Sequence, residues 1–252
     1  MTREERVTLA AYRAVAPVVV EAGGTVVMRY PEAPDSAMLN RAVGLGAERP
    51  ATEADVDAVL AAFGERVTFY VSVAPDAEPR ELLPAWLHER GLEPGWGWMS
   101  FRRGLDVPET RATPLRPDEV RSPEQAAEFA RIVRIGYDLP EATEAALSRV
   151  TESGWRCWLA LDGDEPASAA GMFVSEGAAY LGFAATLPEH RGEGAQNVLL
   201  AERIRVAGEL GCDVVLSETG ELREDRPSSS YRNLLRTGFE EVVVTANWLG
   251  RS

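Results

Sequence analysis

Residues 187–196 read Leu187-Pro188-Glu189-His190-Arg191-Gly192-Glu193-Gly194-Ala195-Gln196. Before them, Ala179 to Thr186 has strand character. After them, Gly194 to Leu210 places Leu200, Ile204, Ala207 and Leu210 on one helical face and is closed by Gly211. Gly192 and Gly194 remove side chains where a strand must turn sharply into a helix, so several backbone N–H groups can converge at the helix's positive end. Such a turn binds phosphate oxygens. Arg191 adds a planar, permanently charged set of donors that suits a pyrophosphate. Taken alone, the pattern is equally compatible with a tight turn carrying a solvent-facing arginine.

Working outward, the stretches Trp155 to Leu161, Ala167 to Val174 and Ala179 to Thr186 read as three strands joined by the short turns Asp162-Gly163-Asp164 and Glu176-Gly177, an antiparallel meander. Helices are expected over Pro123 to Ile135, capped by Ser122, and over Glu141 to Val150. Beyond the long helix come a buried strand at Val214 to Glu218, a short helix at Ser230 to Arg236 and a last strand at Phe239 to Trp248. Leu105 to Pro117 carries three prolines and no hydrophobic periodicity, the mark of a linker. It divides the chain into residues 1–108 and 109–252.

The first half predicts a helix over Glu4 to Val20 and strands at Thr25 to Tyr30 and Arg41 to Gly46. A helix opened by the capping box Thr52 to Asp55, a strand at Val67 to Val73, a helix at Pro79 to Arg90 and a strand at Trp96 to Phe101 follow. Strand, helix, strand, helix and closing strand thus occur in the same order in both halves, as a duplication produces.

Composition removes whole classes of chemistry. All 26 basic residues are arginine, so Schiff-base catalysis and the lysine-ended phosphate loop are impossible. Two histidines and two cysteines, well separated, leave no histidine metal motif, thiolate cluster or disulfide framework. A net charge of −14 repels nucleic acid and anionic membrane surfaces and favours a cationic small substrate. No apolar run is long enough to span a bilayer and the N-terminus lacks the pattern of a secretory signal, so a cytoplasmic location is expected.

Arg191-Gly192-Glu193-Gly194-Ala195-Gln196 resembles the acyl-CoA-binding motif of the GNAT N-acetyltransferase superfamily, Arg/Gln-x-x-Gly-x-Gly/Ala, in the strand-before, helix-after setting that family requires. Ala184 to Gly192 is similar to its fourth strand and exit, and Ser229 to Phe239 to its closing helix and Gly-Phe turn. The resemblance implies an α/β (α+β) fold of two GNAT-like domains, each a mixed, mostly antiparallel sheet flanked by helices, the first a degenerate copy. It implies acetyl-CoA as co-substrate without metal, and an amine of a small molecule or peptide as acceptor. The protein would be a monomer or homodimer.

For cofactor contacts the resemblance points to Phe183, Ala184, Ala185 and Thr186 of the fourth strand, to Arg191, Gly192, Glu193, Gly194, Ala195 and Gln196 of the turn, and to Asn233. Gln196 stands where the motif ends in a small residue, so its side chain must point away from the cofactor. Glu193 puts an anion near the phosphates. At the equivalent place the first half carries Glu53 and Asp55, which would repel a pyrophosphate; one cofactor per chain is expected.

The family's usual proton donor, a tyrosine four positions before the closing glycine, is replaced by Leu234; Tyr231, on nearly the same face, is the substitute candidate, with Ser230 behind it. Glu218 is the candidate base, with Glu221 and Glu176 as further possibilities. The acceptor pocket is expected where the halves meet. A non-catalytic acyl-CoA-binding or regulatory protein is the alternative that Leu234 and the degenerate half suggest.

Overall fold

Pro17 and the three valines after it divide what the sequence suggests is one helix. The computed structural model, which describes residues 1–110, 112–225 and 228–252, has helix α1 at Arg3–Val15 and strand β1 at Val18–Ala22. The helix expected to run to Val20 stops early because proline lacks an N–H and β-branched residues pack better on a pleated surface. β1 returns as β2 (Thr25–Arg29) through Gly23 and Gly24, whose φ angles of 58° and 70° suit a two-residue hairpin.

The first half continues with β3 (Arg41–Leu45), α2 (Glu53–Phe63), β4 (Thr68–Val73), α3 (Leu82–Glu89), the minimal β5 (Glu93–Pro94) and β6 (Trp98–Arg103). The second holds β7 (Arg116–Glu119), α4 (Pro123–Tyr137), α5 (Glu144–Ser148), β8 (Trp155–Asp162), β9 (Glu165–Ser175) and β10 (Ala178–Thr186). It closes with α6 (Ala195–Glu209), β11 (Val214–Gly220), α7 (Ser229–Arg236) and β12 (Glu240–Arg251). The capping boxes at Thr52 and Ser122 form, each cap receiving the N–H three residues on. The proline-rich segment is linker only in part: from Arg116 it pairs antiparallel with β8, so the second half gains an edge strand.

Both halves follow one order. The parallel pair β3/β4 with α2 between corresponds to the parallel pair β10/β11 with α6 between, and the other strand pairs are antiparallel. The closing strands, however, are exchanged. β6 of the first half pairs with β11 of the second. β12 of the second pairs with β6 through Glu240–Thr245 and then with β4 through Ala246–Arg251. The strand order β1-β2-β3-β4-β12-β6-β11-β10-β9-β8-β7 is therefore one continuous sheet. Asn247, 2% exposed, pins the exchanged strand: Ser72 Oγ donates to its Oδ1 at 2.7 Å and its Nδ2 donates to the Trp96 carbonyl at 2.7 Å.

In the second half α6 and α7 cover one face of the sheet and α4 and α5 the other, each over its own apolar core. α2 and α3 cover the first half. α1 belongs by sequence to the first half but packs Val7 and Ala11 into the second half's core, and Leu9 against Val26 and Met28 of the first. Trp155 Nε1 donates to the Ala11 carbonyl at 3.1 Å, and Arg3 and Arg6 pair with Asp213 and Glu176 at 2.7 Å each. Each fully buried large apolar side chain contributes about 1.5–3 kcal/mol; the exposed ion pairs add little. Among the described residues no helix is long and apolar enough to cross a membrane.

Candidate active site

β10 and β11 pair only from Ala178↔Val214 to Leu181↔Ser217, although β10 runs on to Thr186 and β11 to Gly220. Beyond the last pair the strands part. On its other side β10 slips register against β9 between Gly182 and Ala185. Phe183 sits in this bulge at φ 53°, a left-handed conformation that a bulky residue holds only under constraint. Here the constraint is aromatic: its ring lies edge-on to Trp155 and Phe129, with centroids 4.8 and 6.0 Å away. The main chain of Phe183, Ala184, Ala185 and Thr186 thus borders a notch between two parted strands.

The glycine turn lies directly beyond it. Gly192 and Gly194 both have φ 91°. A Cβ would meet nothing within 4 Å at Gly192 and only Thr113, at 3.7 Å, at Gly194, so backbone conformation rather than crowding demands glycine here. Ala195 opens α6, whose N-terminus receives no side-chain cap and has no acid in its first turn. By contrast Thr2, Thr52, Ser122 and Ser228 cap α1, α2, α4 and α7. An uncapped helix start with glycines before it leaves N–H groups and a positive dipole end available to an anion.

The two departures from the family motif resolve themselves locally. Gln196 turns into the sheet, where its Nε2 donates to Ser168 Oγ at 2.8 Å and to the Ala185 carbonyl at 3.1 Å, bracing the exit of β10. Glu193 turns its carboxylate toward His190 Nδ1 at 3.0 Å, while its carbonyl accepts from Thr113 Oγ1 at 2.8 Å. Arg191 Nε approaches the Thr186 carbonyl at 3.4 Å, so the guanidinium stays beside the turn.

At the corresponding helix of the first half the anion is the protein's own. Asp55 accepts from both terminal nitrogens of Arg49 at 2.7 Å and from Thr52 N and Oγ1 at 2.8 and 2.7 Å. Arg49 above all, with Thr52 helping, holds this carboxyl well below the usual range.

The two candidate proton carriers lie on opposite faces of the sheet. Glu218 shares the face of Leu216, toward α1. Its Oε2 accepts from the Tyr12 hydroxyl and its Oε1 from Ser100 Oγ at 3.1 Å, and Tyr12 and Tyr180 hydroxyls are 2.7 Å apart. Burial first, then the charge of Glu218, pushes the Tyr12 phenol well above its ordinary value; burial and then Tyr12 do the same to Tyr180. Arg41 from β3 lies over the Tyr12 ring, its guanidinium carbon 4.0 Å from the centroid.

Tyr231 lies on the α7 face, buried edge-on to Phe101 with centroids 4.9 Å apart, and its hydroxyl donates to Glu241 of β12. Burial and then this carboxylate push the phenol up to about 12. Asn233, on the same helix, accepts from Arg236 through its side chain. Glu221 is engaged by Arg223 and by the Gly97 N–H at 3.0 Å, and Glu176 by Arg6, so these further candidates are held in ion pairs away from Glu218's cluster.

Tyr12, Arg41, Ser100 and Tyr180 have no sequence signature, and neither has Tyr137 of α4. The Tyr137 phenol, held at the Ala184 amide, is pushed up to about 12 by burial. Three of the five come from the other half of the chain. No local pattern announces a partner 206 residues away.

By sequence, neither a protein-family model nor a curated protein matches this chain. By structure, it aligns with a GCN5-related N-acetyltransferase from Kribbella flavida at a TM-score of 0.66 and 22% identity, over 100% of this chain and 96% of that one. A tandem GNAT protein from the clavulanic acid biosynthesis pathway aligns at 0.61 and 15% identity, over 96% and 86%. A GCN5-related N-acetyltransferase from Sphaerobacter thermophilus aligns at 0.58 and 15%, over 74% and 60%. At these identities the likeness is one of fold: the chain has the mixed, mostly antiparallel fold of the GNAT N-acetyltransferases.

Proposed function

We propose that this protein is an N-acetyltransferase that moves the acetyl group of acetyl-CoA onto an amine of a small molecule or peptide by direct attack. The observation that carries the reading is the coincidence, in one half only, of a strand pair that parts at a bulge and an uncapped, glycine-turned helix start immediately after it. The residues fit the co-substrate. The N–H groups of Gly192 to Gln196 and the guanidinium of Arg191 suit a diphosphate, and Gln196 and Glu193 have turned their side chains into other contacts. Phe183 to Thr186 offer main-chain groups to a pantetheine arm, with Asn233 toward the closing helix. The first half offers no second place, because Asp55 and Arg49 already fill it.

Acetyl-CoA supplies an activated thioester. The chain's own groups then have three tasks. Glu218, held by Tyr12 and Ser100, takes the proton that the acceptor nitrogen must lose before it bonds to the acetyl carbon. Backbone N–H groups of the bulge donate to the carbonyl oxygen as it gains charge. Tyr231, on the other face of the sheet, is the candidate to give its proton to the sulfur as the carbon–sulfur bond breaks, which requires its hydroxyl to leave Glu241; with its phenol up near 12 it carries that proton throughout the neutral range.

The test is calorimetric binding of CoA together with thiol release from acetyl-CoA across a panel of amines. One site per chain is expected, and Arg191→Ala combined with Gly194→Asp should weaken CoA binding by about a hundredfold or more. Unchanged affinity in that variant refutes the phosphate site. Saturable CoA binding without turnover on any amine refutes the enzyme.

A further inference from the structure

Two arginines of the core, Arg41 and Arg203, are 7% and 1% exposed, and among the described residues neither has a carboxylate within the ion-pair distance of 4.0 Å. Arg203 is satisfied by carbonyls: its Nε donates to Leu199 at 2.9 Å and its Nη1 to Gly171 at 3.0 Å. For Arg41 no carbonyl or carboxylate accepts, among the described residues. Its guanidinium instead rests on aromatic faces, 4.0 Å from the Tyr12 ring centroid and 5.5 Å from that of Trp98. A guanidinium stacked in this way keeps its in-plane N–H donors for a planar or tetrahedral anion. Beside it, Trp98 Nε1 is buried without an acceptor. Among the described residues Arg41 has the Tyr12 phenol as a polar partner but no carboxylate in ion-pair contact, and beside it the Trp98 N–H has no acceptor at all, a costly arrangement for structure alone.

The place of these donors relative to Glu218 is fixed by Tyr12, whose ring carries Arg41 and whose hydroxyl donates to the Glu218 carboxylate. Arg41 and Glu218 thus meet the same tyrosine side chain, one at its ring and the other at its hydroxyl, and each lies within electrostatic reach of the other, an arrangement that suits one small molecule with an amine at one end and an anion at the other. Arg41 comes from β3, the strand that corresponds in the first half to β10, and it lies on the sheet face that α1 covers.

We propose that Arg41, with Trp98 beside it, receives an anionic group carried by the acceptor amine, a carboxylate or a phosphonate or phosphate, so that the substrate is an amino acid or its phospho-analogue rather than a plain amine. The inference rests on the reading of Glu218 as the group that meets the amine. It gives the half without a cofactor site a task in substrate recognition.

The experiment uses the full chain and matched acceptors: glycine, methylamine and aminomethylphosphonate, and phenylalanine, phenethylamine and 1-amino-2-phenylethylphosphonate. Thiol release gives kcat/KM for each, and calorimetric titration without acyl donor gives binding. The wild-type protein should prefer one anionic member of a set over its plain amine by about thirtyfold or more, and which one it prefers separates carboxylate from phosphonate. Arg41→Gln should reduce that ratio at least about tenfold, and Arg41→Lys should restore part of it. Trp98→Phe, which keeps the ring and removes the N–H, should reduce the ratio about threefold and serves if the Arg41 variants fail to fold. Equal turnover and binding of charged and plain members by the wild-type protein, or a ratio unmoved by Arg41→Gln, overturns the proposal. Failure of thiol release with every acceptor while CoA still binds speaks against the transferase reading. The anion site is then decided by calorimetry: wild-type protein that binds phenylalanine or its phosphonate more tightly than phenethylamine, with the difference lost in Arg41→Gln, upholds it, and equal binding overturns it.

Discussion

Tyr12→Phe is the sharpest test of how the halves are joined. The change keeps the ring, and with it the contact to Arg41 and the edge-on packing against Tyr180 at 5.5 Å and 73°. It removes one oxygen, which donates to Glu218 and sits 2.7 Å from the Tyr180 hydroxyl. A hydrogen bond to an ionised group contributes about 1.5–3 kcal/mol and a neutral one about 0.5–1.5, so a loss of about 2–4 kcal/mol is expected. At about 2–4 °C per kcal/mol for a chain of this size, Tm should fall by roughly 5–15 °C. Guanidinium titration at unchanged m and calorimetry measure the loss, and a cycle with Glu218→Gln isolates the pair. A loss below about 0.5 kcal/mol, or no coupling to Glu218, would refute the claim that this hydroxyl links α1 to the second half. Both phenols are raised in the folded protein, so the stability they contribute is full below the ordinary phenol value of about 10 and fades as pH climbs toward their folded-state values. Tyr12→Phe should therefore flatten the alkaline loss of stability as well as lower the neutral plateau.

Other outcomes follow from single contacts. Gly220→Ala would place a Cβ 2.0 Å from the Trp96 ring, and a loss of about 1–3 kcal/mol or more is expected in chemical denaturation; wild-type stability would show that the ring yields freely. Gly192→Ala, with open space around the added carbon and only φ 91° against it, should cost no more than about 2 kcal/mol. Asp55 has a depressed folded-state pKa caused first by Arg49, so its contribution is present above the ordinary carboxyl value and lost as pH falls toward the depressed one. Asp55→Asn should accordingly flatten the acid limb of stability measured between neutrality and about pH 2, and an unchanged limb would contradict the pairing. Tyr231→Phe should lower kcat by about a hundredfold with little change in CoA affinity, and an unaltered pH–rate profile would remove it as proton donor.

The features that sequence alone determined are those whose physics is local. Thr52 and Ser122 cap helices because a hydroxyl three positions from an N–H reaches it whatever surrounds them. Gly192 and Gly194 turn the chain because glycine adopts a φ of 91° without the strain a side chain brings, and the meander of β8, β9 and β10 follows from short turns between alternating strands. With those pieces in order, the fold class and the glycine turn before α6 were legible. One local reading failed where periodicity outran chemistry, at Pro17 and the valines after it. Another failed at Arg116, where an edge strand begins among prolines. Tertiary structure alone decided how the halves are stitched together. β6 and β12 trade partners, and α1 leaves its own sheet for the neighbouring one. That exchange brings Ser100 and Tyr12, 118 and 206 residues distant, onto Glu218, and Arg41 onto Tyr12. The reason is that strand pairing and burial reward any apolar face and any free edge alike. Which partner fills them is settled by the packing of the whole chain, and no short window of residues contains that information.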